Sequence, residues 1–172
     1  MELVIGSGRL EKKSLGLPGQ DREWVDPVFL DINPDLNPDV VWDLNKRPLP
    51  FDDNTFDELH AYHVLEHVGV QGDYVGFFEE FWEYYRILKP MGHFMITMPS
   101  DQSIYAFVDP GHTRAFSPGI FNFLNKKNYK SNEAMSDYSR LCTCDFNAVA
   151  FNLDESKCIS IILQAIKPNS GD

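Results

Sequence analysis

Five short apolar runs follow one another through the first hundred residues: "ELVIGSG", "DPVFLDIN", "DVVWDLN", "TFDELHAYHVL" and "HFMITMP". Runs this short, bounded by Gly, Pro, Asn and Asp, read as buried strands. Between the fourth and fifth lies "YVGFFEEFWEYYRILKPMG", whose large apolar residues fall at 77, 78, 81, 82, 85 and 88. That spacing predicts a helix with one side on a core, stopped by Pro90 and Gly92. A short helix is expected to begin near His63 as well. Further on, "FNAVAFNL" and "CISIILQAIK" read as two strands joined by a turn around Asp154-Glu155-Ser156. Strands that alternate with helices or loops predict an α/β fold with a mostly parallel sheet of seven strands. Helices flank it, and an antiparallel C-terminal hairpin closes it. The chain shows no internal repeat and no low-complexity linker, so a single domain over residues 1–172 is expected.

Composition narrows the function classes. Acidic residues outnumber basic ones 26 to 15, and the net charge is −11. Such a surface repels phosphate backbones, which disfavours nucleic acid as a partner. The short basic pairs Lys12-Lys13 and Lys126-Lys127 read as solvated loop charges rather than a clustered basic face. Three cysteines, Cys142, Cys144 and Cys158, give no disulfide framework and no zinc-knuckle spacing. They read as buried or half-buried thiols. No signal peptide opens the chain, and no apolar run approaches the ~20 residues of a membrane span. A cytoplasmic protein without a membrane contact is the expectation.

The ends of the strands carry the polar groups. In an open parallel sheet, ligands bind beyond the carboxyl ends of the strands. Gly6-Ser7-Gly8 follow the first run, where glycine lets the backbone turn sharply and come close to a ligand. Asp31 ends the second; its carboxylate can accept both hydroxyls of a ribose, or cap the turn at Asn33-Pro34. Asp43-Leu44 end the third, where a carboxylate can accept a bond from an adenine amino group.

These features, and above all "DINP…VVWDLNKRPLPFDDNTFDELHAYHVLEHV…RILKPMGHFMITMPS", resemble the class I S-adenosylmethionine-dependent methyltransferases. The resemblance is strong over roughly residues 3 to 100. "FVDPGHTRAFSPGIFNFL" is similar to the segment after strand 5 in some of these enzymes. The resemblance implies a Rossmann-like methyltransferase fold with S-adenosylmethionine as cofactor. By position it implies that Gly6, Ser7 and Gly8 border the methionine portion. Asp31 would hold the ribose, with Ile32 packed on adenine. Asp43 and Leu44 would face the adenine edge, and Ala61, Tyr62 and His63 the methionine and sulfonium side. The chain departs from the family at "GSG", which lacks a third glycine, and at Met91, which stands where "KPGG" is usual. It also departs at "LGLPGQDREW", which reads as an inserted loop. N-terminal helices that cap the pocket in many relatives are not expected here, which admits a homodimer that closes it.

The stretch "FDELHAYHVLEHV" sets three histidines beside Glu66. His60 falls within a strand and reads as structural. Glu66 and His67 match the "LEH" of the resemblance and read as local scaffold. The order His-Val-Leu-Glu-His also fits an inverted zinc-protease motif, but that reading needs a further ligand, so no metal is expected. His63, at the mouth, is a candidate base for a substrate hydroxyl or amine. "DPGHTRAF" reads as a loop over the pocket, in which Asp109 or His112 would position or deprotonate the acceptor and Arg114 would pair with an acidic group on it. The expected activity is methyl transfer to a small-molecule acceptor. The alternative is a noncatalytic cofactor-binding or interaction protein on the same fold.

Overall fold

The structure is a computed structural model that describes residues 1–10, 12–17, 22–131 and 136–168. Seven strands form one sheet in the order β3-β2-β1-β4-β5-β7-β6. They are β1 (Glu2–Ile5), β2 (Pro27–Asp31), β3 (Val40–Val41), β4 (Phe56–Tyr62), β5 (Leu88–Pro99), β6 (Phe146–Leu153) and β7 (Cys158–Ala165). Strands β1 to β5 pair in parallel, and β7 runs antiparallel to both β5 and β6. The order reverses beside β1, so the carboxyl ends of β1 and its neighbours open into a crevice. This is the seven-stranded arrangement expected from the sequence.

The helices differ from expectation. Among the described residues there is one α-helix, α1 (Tyr74–Ile87); the other helical pieces are short 3-10 turns. Asp73 caps α1 by accepting from the Gly76 N–H at 3.0 Å. The helix buries Phe77, Phe78, Phe81, Tyr84, Tyr85 and Ile87 against one face of the sheet. Trp82, assigned by its spacing to the inner side, is 38% exposed, and Tyr84 takes the inner place. The helix expected from His63 is only a 3-10 turn over Leu65–His67. His63 has φ +56°, a left-handed conformation that cannot begin a right-handed helix. Met91 also has a positive φ, +63°, a conformation that glycine adopts more easily than methionine.

The second face is covered by the segment after β1, with no helix among its described residues; residues 18–21 of "LGLPGQDREW" lie outside them. Leu10, Leu15, Leu17 and Trp24 pack there on Tyr62, Met95 and Ile162. Lys13 is not a solvated charge: it is 4% exposed, and its Nζ donates to Glu2 at 2.6 Å and Glu58 at 2.9 Å. Glu2 and Glu58 are register partners on β1 and β4, so two carboxylates stand side by side and need a cation between them. His60 and Lys13 beside Glu58 hold its carboxyl well below the usual carboxylate range.

His60 is fully buried, its Nδ1 is 2.9 Å from the Tyr62 hydroxyl, and burial pushes its pKa below the ordinary 6.5. Below pH ~6.5 the unfolded chain takes up a proton here that the native state refuses. Stability therefore falls with falling pH, from about 6.5 down to the native value. Thermal unfolding of wild type and His60→Gln between pH 7 and 5.5 should differ in slope by up to about 1.4 kcal/mol per pH unit. Equal slopes would show that His60 titrates freely in the fold.

Candidate functional site

A cleft of about 370 Å³ opens at the carboxyl ends of β1, β2, β3 and β4. Gly6 forms part of its wall. Gly6 has φ +56°, and a Cβ there would come within 2.5 Å of Val64 Cγ2, so no other residue fits without moving Val64. From β2 come Leu30 and Ile32; Ile32 is 65% exposed, an unpaired apolar surface at the mouth of a cleft. Trp42, Asp43, Leu44 and Asn45 follow β3. The Asn45 side-chain oxygen accepts from the Gly69 N–H at 2.9 Å and ties this wall to the opposite one. After β4 come His63, Val64, His67 and Val68.

Asp31 stands in the chain between the lining residues Leu30 and Ile32 but is not itself part of the wall, and it is 7% exposed. One carboxylate oxygen accepts from the Gly8 N–H at 2.8 Å and the other from the Asn33 N–H at 2.9 Å. The carboxylate thus shapes the first loop and caps the turn after β2. Each oxygen keeps a further lone pair for a ligand hydroxyl. Asp43 accepts from Asn45 N–H at 2.9 Å and is half-buried. Ser7 is buried, and its N–H donates to Leu30 O, so it supports the loop from beneath.

Ala61 and Tyr62 do not face the cleft. Ala61 is fully buried in the main core. Tyr62 packs on Leu15, Met95 and Ile162, across the sheet from that core, and burial pushes its phenol pKa up. Strand alternation sends Tyr62 to the same side as His60, and β4 contributes side chains to the cleft only from His63 onward.

The loop after β5 comes in beside His67. Thr113 and Arg114 donate backbone N–H bonds to Glu66 O, at 2.9 and 3.4 Å. Asp109 is exposed and accepts from Gly111 N–H at 2.7 Å, so it shapes the turn rather than entering the cleft. His112 lines a second, open cleft of about 820 Å³, which Phe107 and Thr113 also border. The His67 and His112 rings stand edge to face with centroids 4.6 Å apart, so the two clefts adjoin at this pair. Arg114 does not reach out for a substrate acid. It is 9% exposed and donates to both Glu80 oxygens at 2.7 and 2.6 Å, and from Nε to Leu65 O at 3.1 Å. Burial pushes the Glu80 carboxyl up, against the pull of Arg114.

Sequence reasoning passed over Asn45, Trp42, Val64 and Val68 as wall residues. Asn45, in "DLNKR", had the signal of a polar residue directly after a strand end. Among the described residues no helix is long and apolar enough to cross a membrane.

A family model described as "Methyltransferase domain" matches residues 32–96, which run from the end of β2 into β5. A search of curated proteins gave no match. Among solved structures, the chain is similar to an S-adenosylmethionine-dependent methyltransferase from Archaeoglobus fulgidus. The two are 19% identical with TM-score 0.61, over 95% of this chain and 85% of that one. A putative methyltransferase in complex with the Trm112 activator of Haloferax volcanii is 12% identical with TM-score 0.58, over 96% and 82%. Phosphoethanolamine N-methyltransferase 1 of Haemonchus contortus, solved with phosphoethanolamine and S-adenosylhomocysteine, is 12% identical with TM-score 0.59, over 99% and 40%. At these identities the structural likeness speaks for the fold.

Proposed function

We propose that the chain is a class I S-adenosylmethionine-dependent methyltransferase and that it transfers the methyl group of S-adenosylmethionine to a small-molecule acceptor. The carrying observation is the cleft at the strand ends, whose wall holds Gly6, the exposed Ile32 and Asp43, with Asp31 next to Ile32 in the chain and bonded to the Gly8 N–H. That arrangement suits a flat base, a ribose and a charged tail in the order of the chain. Ile32 offers the base an apolar face. Asp43 would meet its amino edge, Asp31 would accept from the ribose hydroxyls, and Gly6 and His63 would hold the methionine end. Bound there, the cofactor supplies an activated methyl group on sulfur.

What the protein adds is alignment and exclusion of water, which can lower a barrier by about 7–11 kcal/mol in model systems. The 820 Å³ cleft beside His67 and His112 is the natural acceptor side, since it adjoins the cofactor cleft and has both apolar and polar walls. His63, at 56% side-chain exposure, stands at the mouth as the nearest base. The acidic net charge favours a small acceptor over a nucleic acid.

Calorimetric titration with S-adenosylmethionine and S-adenosylhomocysteine tests the reading. One site of micromolar affinity is expected. Asp43→Ala should weaken it by about 10–150-fold, the worth of one hydrogen bond to a charged group. A folded protein that binds neither ligand would leave only a noncatalytic scaffold.

A further inference from the structure

We propose that Glu66, His67 and His112 form a site for a divalent transition-metal ion at the wall between the two clefts, where the ion holds a hydroxyl oxygen of the methyl acceptor. The site itself stands on geometry alone; the acceptor's role rests on the methyl-transfer reading above.

The first observation is that the potential ligand atoms converge. One ligating atom from each of these three side chains lies within 4.8 Å of the other two. Glu66 and His67 come from the turn after β4, and His112 from the loop after β5, locked to that turn by the backbone bonds to Glu66 O. Metal bonds to imidazole and carboxylate run about 2.0–2.2 Å, which puts tetrahedral ligand atoms about 3.4 Å apart, so the three groups would close by up to about 1.4 Å around an ion.

The second observation is an orphan. Glu66 is 2% exposed, and its Oε2 has no hydrogen-bond partner. Its other oxygen lies 3.4 Å from His63 Nδ1. A buried carboxylate oxygen without a donor is costly, and a cation is the partner that would satisfy it.

The third observation concerns the imidazoles. His67 Nδ1 is 3.1 Å from Gly111 O, and His112 Nδ1 is 3.1 Å from Ala106 O. A carbonyl can only accept, so each Nδ1 carries the hydrogen and each Nε2 is left as a bare lone pair. That is how metal-binding histidines are held: one nitrogen fixed by a backbone carbonyl, the other free to ligate. The turn that supplies Gly111 O is shaped by Asp109, which gives this residue a positioning role.

Two imidazoles and one carboxylate favour Zn²⁺, Fe²⁺, Co²⁺ or Mn²⁺ over Mg²⁺, which prefers oxygen. Three protein ligands leave coordination positions open, and His67 and His112 border one cleft each. An acceptor hydroxyl bound to the ion loses its proton more readily. The proton passes to His63. The oxygen pair then forms the bond to the methyl carbon as the carbon–sulfur pair returns to sulfur, leaving a methyl ether and a neutral thioether. The site is not the zinc-protease motif completed, since that motif would ligate through His63 and His67; it takes Glu66 and His67 from the stretch and adds His112, 45 residues beyond His67 in the chain and beside it in the fold.

Metal binding is read first, without cofactor. The chain is stripped with chelator and titrated with Co²⁺ followed by its visible absorption, and with Zn²⁺ by calorimetry. One equivalent is expected to bind, with Mg²⁺ unable to displace it. Glu66→Gln, His67→Ala and His112→Ala should each weaken binding by more than about 100-fold, since loss of even an outer partner costs 10–100-fold. His93→Gln, on β5 beside Gln164, should not. If a variant fails to fold, imidazole ¹⁵N spectra of the unaltered protein decide: Zn²⁺ should shift the Nε2 signals of His67 and His112. No binding, binding that survives all three substitutions, or unshifted signals would overturn the site. Cofactor titration is independent of these readouts, so loss of the methyl-transfer reading and loss of the metal site are told apart.

Discussion

Arg114→Ala is expected to cost about 3–5 kcal/mol of stability, the usual loss when one partner of a buried ion pair is removed. The guanidinium lies over the Phe116 ring at 4.6 Å and grips both oxygens of Glu80. Without it, the Glu80 carboxylate keeps only the Tyr84 hydroxyl at 3.1 Å and Arg47 at 3.7 Å. Glu80 sits on α1 and Arg114 on the loop after β5, so the pair fastens that loop to the helix. For a chain of this size the melting temperature should drop by roughly 6–20 °C, at 2–4 °C per kcal/mol. The deficit should shrink as pH falls, because burial already raises the Glu80 pKa and the unpaired acid escapes its penalty by taking up a proton. Glu80→Leu with Arg114→Met should recover most of the loss, since an apolar pair of similar volume leaves no buried charge. A loss below about 1 kcal/mol in the single variant would show a solvated guanidinium. The role of partner to an acidic substrate group, expected from the sequence, would then be restored.

The contrast between Arg114 and Asp31 shows what a sequence reveals. The first three strand ends were legible because those apolar runs are short and close on Gly or Asp, so Gly6, Asp31 and Asp43 could be set on one edge of the sheet by counting. The face of Tyr62 was also legible: two residues after His60 it must share His60's side, and only the family pattern suggested the cleft. Lys13 was not. It looked like half of an exposed basic pair, and its burial follows from Glu2 and Glu58 being register partners 56 residues apart. The same holds for Glu80 with Arg114 and for His67 with His112. Each is a tertiary meeting between residues 34 and 45 apart, with no local period to announce it. That no helix forms among the described residues of 6–26 had a weak local sign in four glycines and one proline, but whether a segment coils or lies extended on a sheet depends on what it covers.

The largest effect on ligand binding should come from Asp31→Ala. Both carboxylate oxygens already accept backbone N–H bonds, from Gly8 and Asn33. The substitution therefore removes the proposed ribose acceptor and releases the first loop together. Hydrogen bonds to a charged group contribute about 1.5–3 kcal/mol each, so losing two ribose contacts should weaken S-adenosylmethionine by about 10²–10⁴-fold. Asp31→Asn should do little better. One side-chain oxygen becomes an NH₂ that faces a backbone N–H, donor against donor, at either Gly8 or Asn33. Asp31→Glu keeps the charge but adds a methylene, which pushes the carboxylate past both N–H groups. Calorimetry of all three variants separates the two effects when melting temperature is read alongside. If affinity falls as predicted while the melting point moves little, the ligand contacts dominate. If Asp31→Asn melts as low as Asp31→Ala yet binds like wild type, Asp31 is a turn cap and the ribose lies elsewhere.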